Sequence, residues 1–132
     1  MLELEDIQHF LISRPSALAA RYEFLAFRRR GAGREWLKGI LDKVGTPKAL
    51  ASGPPGIRWV TIGFTWNGLR ALGVNEAALA SFPEEFCQGM AARAEILGTT
   101  GSNHPENWVG GLASEELHAI VILFARDVAE RE

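Results

Sequence analysis

Apolar and polar positions along the chain predict an alternation of strands and helices. Three runs rich in β-branched and aromatic residues have the pattern of strands, at residues 20–28, 58–66 and 117–127. Helical spacing of apolar residues predicts a helix over 33–44, which ends at Gly45. Residues 46–52 are a weaker strand candidate for a sheet edge. The Gly-Pro-Pro-Gly turn at 53–56 would place this segment beside the strand at 58–66 as a hairpin.

The helical region after that strand is divided by cap and break residues. Asn67 is the predicted N-cap of a short helix, and Gly73 is its predicted C′ residue in the left-handed conformation. Asn75 opens another helical turn, and Pro83 opens a longer helix because proline costs no hydrogen bond at the first position. One stripe of the longer helix carries four residues at helical spacing: Phe86, Met90, Arg93 and Leu97. The helix is predicted to close at Gly98.

The order of these elements is β-α-β-β-α-β, which predicts an α+β, ferredoxin-like domain. We expect a four-stranded antiparallel sheet with both helices on one face and the strand at 58–66 near its centre. A length of 132 residues is typical of one domain, so residues 1–132 are predicted to form a single domain.

The predicted sheet has an uncharged second face. In the strand at 58–66, the more apolar set is expected to face the helices: Val60, Ile62, Phe64 and Trp66. The alternate set is less apolar but also uncharged: Trp59, Thr61, Gly63 and Thr65. An uncharged outer face implies that another sheet covers it. We therefore predict these last four residues as a partner interface, with a second ferredoxin-like half or a second copy in a homodimer as the partner.

Composition argues against several classes of partner. The net charge of −2 gives no general attraction to nucleic acid. No apolar run approaches the roughly 18 residues of a membrane span. The first residues are acidic and lack the basic-then-apolar order of a signal peptide, so we expect a cytoplasmic protein without membrane contact. The single cysteine, Cys87, lies in a predicted helix and is interpreted as an inert buried thiol.

No complete catalytic constellation is visible in the sequence. The three histidines lie far apart and have no acidic or cysteine neighbour at metal-ligand spacing: His9, His104 and His118. The basic run at 28–30, with Arg34 and Lys38, is interpreted as a solvated loop. We therefore predict no catalytic, cofactor-binding or metal-ligating residue in this chain.

Four segments nevertheless carry a family signature. They are DIQ at Asp6–Gln8, VTIGFTWNGLRALGV at Val60–Val74, SFPEEFCQGMAARAEILG at Ser81–Gly98 and NHPENWVGGL at Asn103–Leu112. Together they resemble the N-terminal half of dye-decolourising (DyP-type) haem peroxidases, over nearly the whole chain. The resemblance implies a fold of the dimeric α+β barrel type, in which two ferredoxin-like halves pack their sheets together around a haem. Such packing would cover the outer sheet face.

The resemblance implies haem as the family cofactor but carries no catalytic residue over to this chain. The family's proximal histidine belongs to the second half, which residues 1–132 do not include. The distal GxxDG motif, whose aspartate promotes peroxide cleavage with a partner arginine, also comes later. The chain has three aspartates, and none precedes a glycine: Asp6, Asp42 and Asp127. His9 stands where the usual DIQG lead-in has glycine, so the family's turn does not carry over directly.

Three functional hypotheses follow from the sequence. The first is a structural half of a DyP-type peroxidase, inactive by itself and active only with a second half. The second is a stand-alone ferredoxin-like binding or scaffold module that self-associates through its sheets without haem. The third is a small cofactor-independent enzyme with a pocket between sheet and helices. The polar groups available to such a pocket are His118, Thr61, Thr65 and Arg126.

Overall fold

The computed structural model describes residues 3–12, 19–29, 31–48 and 58–125. One sheet contains three strands: β1 (Ala19–Leu25), β2 (Arg58–Phe64) and β3 (Ala119–Ala125). Among the described residues, the α-helices with both ends defined are α1 (Ala32–Ile40), α2 (Trp66–Ala71), α3 (Glu76–Ala80) and α4 (Glu84–Ala92), and Pro47 and Lys48 are also helical. Single 3-10 turns lie at His9–Leu11, Leu41–Lys43, Gly101–Asn103 and Pro105–Asn107. The predicted α+β, ferredoxin-like fold class is confirmed.

Strand β3 lies in the middle of the sheet, between β1 and β2. Both pairings are antiparallel. They begin at His118, whose N–H donates to Leu25 O at 2.8 Å and whose carbonyl accepts from Thr65 N–H at 3.1 Å. The prediction of a central strand at 58–66 is therefore wrong. Strand β3 reads AIVILFA, and a strand that is apolar on both faces gains most from the central position.

On the edge of β2 away from β3, the described contacts come from Val44, Gly45 and Gln8. Val44 forms an isolated parallel bridge with Val60, and Gly45 N–H donates to Val60 O at 3.0 Å. The side-chain amide of Gln8 donates to Ile62 O and accepts from Ile62 N–H, each at 2.8 Å. Of the predicted strand at 46–52, the described residues are not in a strand. The rest of that segment, with the turn at 53–56, lies outside the described residues.

The chain divides into two compact units. The first comprises residues 1–23, 37–63 and 121–132, and the second comprises 24–36 and 64–120. The buried side chains of the first unit come from β2 and β3: Trp59, Val60, Thr61, Ile62, Val121, Phe124 and Ala125. Those of the second unit come mostly from the helical region and its turns: Leu72, Leu79, Ala94 and Ala119. Strand residues therefore dominate the core of the first unit, and helical segments that of the second.

The junction between β2 and α2 is capped by Thr65. Its Oγ1 accepts from Gly68 N–H at 2.9 Å, and its hydroxyl donates to Leu117 O at 2.6 Å. The predicted cap at Asn67 is wrong, because α2 begins at Trp66 and Asn67 lies inside its first turn. The predicted C′ residue is confirmed, since Gly73 has a φ of +77°.

Helix α4 starts at Glu84, one residue later than predicted, because Pro83 is its N-cap and not its first residue, and the helix is also shorter than predicted. Gly89 interrupts it with φ 72° and ψ 173°, a conformation that glycine adopts readily because it lacks Cβ. The helix ends at Ala92, and turns follow as far as Gly98 instead of the predicted helix. Before it, the Asn75 side chain caps α3 by accepting from Ala78 N–H at 2.8 Å, as predicted. None of the described helices has the length and apolar character needed to cross a membrane.

Candidate functional site

The four predicted interface residues differ in their exposure. Trp59 and Thr61 are each 8% exposed within the chain itself, whereas Gly63 and Thr65 are half-buried. Trp59 and Thr61 are therefore already covered by other residues of this chain. What the four residues contact in a partner stays a prediction.

The 3-10 turn near the N-terminus covers part of this sheet face. The His9 ring meets the edge of Trp59, with ring centroids 6.4 Å apart. Phe124 stacks on Trp59 at 5.4 Å, and Phe10 stacks on Phe124 at 6.1 Å. His9 N–H also donates to Gly45 O at 2.7 Å. His9 occupies the position of the glycine in the family's DIQG segment. The turn does not need a glycine there, because no described residue other than glycine, and so not His9, has a positive φ.

Three polar atoms buried in the first unit lack a hydrogen-bond partner among the described residues. They are His9 Nδ1, Trp59 Nε1 and Thr61 Oγ1. A buried polar atom left without a partner typically costs about 1–3 kcal/mol of stability. Apolar and ring packing therefore stabilises this region more than side-chain hydrogen bonding does.

The His118 side chain, just before β3, is held by contacts with Phe27. Its Nδ1 accepts from Phe27 N–H at 2.8 Å, and its ring stacks on that of Phe27 at 5.5 Å. Because Nδ1 is an acceptor, the proton of the neutral ring lies on Nε2. Thr65 serves the α2 cap, and Arg126 lies outside the described residues. The third hypothesis, a small enzyme with a pocket between sheet and helices, needs its polar groups to meet at one site. Among the described residues, His118 and Thr65 instead bind backbone groups.

A polar cleft of about 380 Å³ lies beside His118. The charged residues that line it are Arg70, Glu115 and Glu116. The Arg70 guanidinium lies over the Trp66 ring, 5.0 Å from its centroid. One positive and two negative side chains line this cleft, so its lining does not have the single sign of charge expected of a dedicated anion or cation site.

Two arginines of the predicted basic loop, Arg29 and Arg34, bind other groups of the chain. Arg29 Nη2 lies 2.5 Å from Glu35 Oε2, and this hydrogen bond and ion pair raise the pKa of Arg29 above its ordinary value. The Arg34 guanidinium donates to Leu72 O and, at 2.8 Å, to Gly73 O. Arg34 therefore binds the free carbonyls at the C-terminus of α2, a common role for arginine near a helix end.

An apolar cavity of about 780 Å³ lies within the second unit. Four aromatic residues line it: Phe64, Trp66, Phe86 and Trp108. Aliphatic side chains complete most of its wall: Met90, Leu97, Leu112 and Leu117. Its polar side chains are few: Thr65, Glu85 and Arg93. Ligand pockets in proteins have this size and this balance of apolar and polar groups.

The stripe predicted on the helix after Pro83 lines this cavity. All four of its residues take part: Phe86, Met90, Arg93 and Leu97. They are not core residues, however, because Met90 is 65% exposed and Leu97 is 51% exposed. The rest of the wall comes from the end of β2, the start of α2 and the loop at 108–117, which periodicity in one helix does not reveal.

The donor groups of the cavity do not fit a haem. Haem iron takes histidine, cysteine or tyrosine as an axial ligand, or methionine together with histidine. The described lining residues offer Met90 but no histidine, cysteine or tyrosine. Across the described part of the chain, no group of three or more His, Cys, Asp or Glu residues is arranged to hold a metal ion. The described residues that line the cavity therefore do not fit a haem.

The fold is similar to that of solved dye-decolorizing peroxidases. One such enzyme, in complex with 2,6-dimethoxyphenol, has a TM-score of 0.79 and 21% identity over 98% of this chain and 29% of its own. A fungal DyP-type peroxidase from Auricularia auricula-judae has a TM-score of 0.77 and 23% identity over 98% of this chain and 28% of its own. At these identities the likeness establishes the fold. The chain spans less than a third of the length of these proteins.

The sequence matches one family profile over most of its length. No curated protein matches it significantly. The profile described as the DyP dimeric alpha+beta barrel domain matches residues 45–131. This match includes the segments at 60–74, 81–98 and 103–112 that resembled the family, and the resemblance to an N-terminal half is thereby confirmed. The chain belongs to the DyP dimeric alpha+beta barrel domain family of the DyP-type peroxidases.

Proposed function

We propose that this chain is a structural half of a DyP-type peroxidase fold that pairs through its sheet with a second α+β half or a second copy. The haem and the peroxide-cleaving residues would come from the second half. Two findings support this proposal. The matching domain is described as a dimeric α+β barrel, and the described cavity residues supply no axial ligand for a haem. A cytoplasmic location stays a prediction from the N-terminal sequence.

The observation that carries the pairing proposal is the outer face of β3. Ile122 lies on the same face as Phe124, because side chains two apart in a strand point the same way. Phe124 is covered by Phe10 and Trp59, but Ile122 stays half-buried. We therefore propose an interface in which Ile122 contacts the partner together with Gly63 and Thr65. Trp59 and Thr61 would form the floor of that interface, since the chain itself already buries them.

The test is the mass of the chain in solution, measured by light scattering behind a sizing column. The wild-type chain is expected to form a dimer whose population grows with concentration. Ile122→Arg should shift it to monomer, because burying an unpaired charge in an interface costs about 3–5 kcal/mol. Leu41→Arg is the matched control, since Leu41 is 61% exposed in the same unit. Thr61→Arg is a poorer choice because Thr61 is 8% exposed, so a charge there would disturb folding as well.

Circular dichroism on the same samples shows whether each variant keeps the fold. A wild-type chain that stays monomeric at high concentration contradicts the pairing of two copies through this face. A folded Ile122→Arg variant that remains dimeric contradicts the assignment of the interface. A dimer that Ile122→Arg disrupts and Leu41→Arg does not supports the proposal.

A further inference from the structure

We propose that Gly89 is a hinge, and that the first half of α4, residues 84–88, moves about it as a lid on the apolar cavity. The lid moves between the kinked form described above and a continuous helix over 84–97. Phe86 before the hinge and Met90 after it both line the cavity, so this motion changes the cavity wall. All of these residues belong to the second unit, so the lid does not depend on the sheet pairing proposed above.

The sequence after the hinge favours helix beyond the observed end of α4. Residues 90–97 read MAARAEIL, and all of them except Ile96 are strong helix formers. The structure nevertheless ends α4 at Ala92 and continues with turns. A conflict of this kind between local preference and observed backbone is typical of strained or functional elements.

The turns after α4 end with the hydrogen bonds that close a longer helix. Thr99 N–H donates to Ala94 O at 2.8 Å, and Gly98 N–H donates to Glu95 O at 3.1 Å. Gly98 itself has a φ of +68°. Two such bonds around a left-handed glycine form the Schellman motif, which ends an α-helix just before the glycine. The C-terminal cap of a continuous helix is therefore already in place, five residues beyond Ala92.

Two local features hold the kinked form. The φ of 72° and ψ of 173° at Gly89 lie in a region that essentially only glycine populates. Across the break, Arg93 Nη1 donates to Gln88 Oε1 at 3.1 Å. In a continuous helix, side chains five residues apart point about 140° apart around the axis, so this bond belongs to the kinked form. Straightening the helix therefore exchanges one side-chain hydrogen bond for additional helical backbone.

The segments on the two sides of the hinge differ in how firmly they are held. Every residue of the lid is exposed except Cys87, which is half-buried. Phe86 packs on Phe82 with ring centroids 5.0 Å apart, and Phe82 is itself exposed. Beyond the hinge, Ala94 is buried and anchors the turn that contains it. Segments with few buried contacts open at low free-energy cost, so the first half of α4 is the part that moves.

The test is NMR relaxation dispersion on the amides of 84–93, which reports exchange with minor forms on the μs–ms timescale. The wild-type chain is expected to show exchange there, with a minor form that has helical chemical shifts at the hinge. Gly89→Ala should shift the equilibrium toward the continuous helix about tenfold or more, because an L-residue is strained at this φ and alanine favours helix. Nothing lies within 4 Å of a Cβ built on Gly89, so the added methyl group meets no neighbour.

The matched control has the opposite chirality at the same position. Gly89→D-Ala should suppress the exchange, because a D-residue favours positive φ and therefore holds the kinked form. Cys87 allows its preparation by ligation of recombinant 1–86 to synthetic 87–132. Gly39→Ala, in α1, controls for a general effect of replacing glycine in a helix and should leave the exchange at 84–93 unchanged.

A further variant leaves the hinge residue unchanged. Gln88→Ala removes the hydrogen bond with Arg93 across the break and should raise the population of the minor form about threefold or more. Near-ultraviolet circular dichroism shows whether each variant is folded. If Gly89→Ala does not fold, Gln88→Ala decides, and exchange equal to that of the wild type then contradicts the lid.

Opposite changes in Gly89→Ala and Gly89→D-Ala, with increased exchange in Gln88→Ala, support the proposal. It is overturned if the wild-type chain shows no exchange at 84–93. Equal chemical shifts and exchange in the two folded variants at position 89 also overturn it. None of these measurements depends on the mass of the chain, so failure here leaves the pairing proposal standing.

Discussion

Two threonines on the same alternate set of one segment, Thr61 and Thr65, have opposite energetic roles. Thr61 is buried in β2, and its hydroxyl has no hydrogen-bond partner among the described residues. Thr65, four residues later, donates to Leu117 O and accepts from Gly68 N–H. The same side chain is therefore an uncompensated polar group in one place and a helix cap in the other.

Replacing each threonine by valine should change stability in opposite directions. Thr61→Val is expected to raise the free energy of unfolding by about 1 kcal/mol, because an unpaired hydroxyl is replaced by a methyl group. Thr65→Val is expected to lower it by about 1–2 kcal/mol through loss of the cap. Urea unfolding followed by tryptophan fluorescence measures both. Asn67→Ala should be close to neutral, and a loss as large as that of Thr65→Val would contradict the assignment of the cap.

Single residues with strong local signals could be predicted from the sequence. Gly73 and Asn75 are examples, because a C′ glycine and an N-cap asparagine act within a few residues of themselves. Thr65 was assigned to the strand because threonine suits both a strand and a cap. The burial of Trp59 within the chain could not be predicted from local sequence. Its cover comes from His9, about fifty residues earlier in the chain, and no local pattern reports such a contact.

At the scale of elements, one glycine allows α2 to lie against the start of β3. A Cβ built on Gly68 would lie 1.8 Å from His118 O, which is far inside contact distance. The same His118 carbonyl accepts from Thr65 N–H. The close approach of helix and strand backbone therefore requires a residue without a side chain at this position.

Gly68→Ala should be strongly destabilising. We expect a loss of about 1–3 kcal/mol or more, because backbone has to shift to admit the methyl group. Gly39→Ala is the matched control within α1, where nothing lies within 4 Å of a built Cβ. That change should stabilise the chain by about 0.5–1 kcal/mol through helix propensity. Thermal unfolding by circular dichroism compares the two, and a neutral Gly68→Ala would mean that the helix and strand are farther apart than described.

The main elements were predictable because their hydrophobic periods are strong. The runs that became β1, β2 and β3 were identified, and so was α1. The length of α4 was overestimated, since its apolar stripe continues past Gly89 while the backbone does not. The middle position of β3 was also missed, because strand order depends on contacts between distant segments.

At the scale of the whole molecule, the chain is not expected to hold haem in a defined axial site. The described cavity residues include no histidine, and His118 uses Nδ1 to accept from Phe27 N–H. Hemin added to the purified chain should give the broad visible spectrum of loosely bound pigment, unchanged in His118→Ala. A sharp, stoichiometric Soret band that disappears in His118→Ala would show that the chain binds haem by itself. His104→Ala serves as a control for surface histidines, since His104 is exposed.

The apolar cavity could be predicted only in part. The helical spacing from Phe86 to Leu97 reveals one stripe of its wall. The cavity needs Trp108 and Leu112 as well, which lie in an irregular segment without periodicity. A family resemblance does not supply this information either, because it identifies a fold and not the space between side chains.

The hydrogen bonds of the Gln8 amide affect whether β2 can pair edge to edge with a strand of another chain. By bonding both to the N–H and to the carbonyl of Ile62, one side chain occupies the two groups that an incoming strand would use. Gly45 occupies the neighbouring carbonyl of Val60 in the same way. An open strand edge is the template from which fibrils extend, one chain after another. Because these backbone groups of Ile62 and Val60 are already hydrogen-bonded, β2 is protected at this edge from strand-by-strand aggregation.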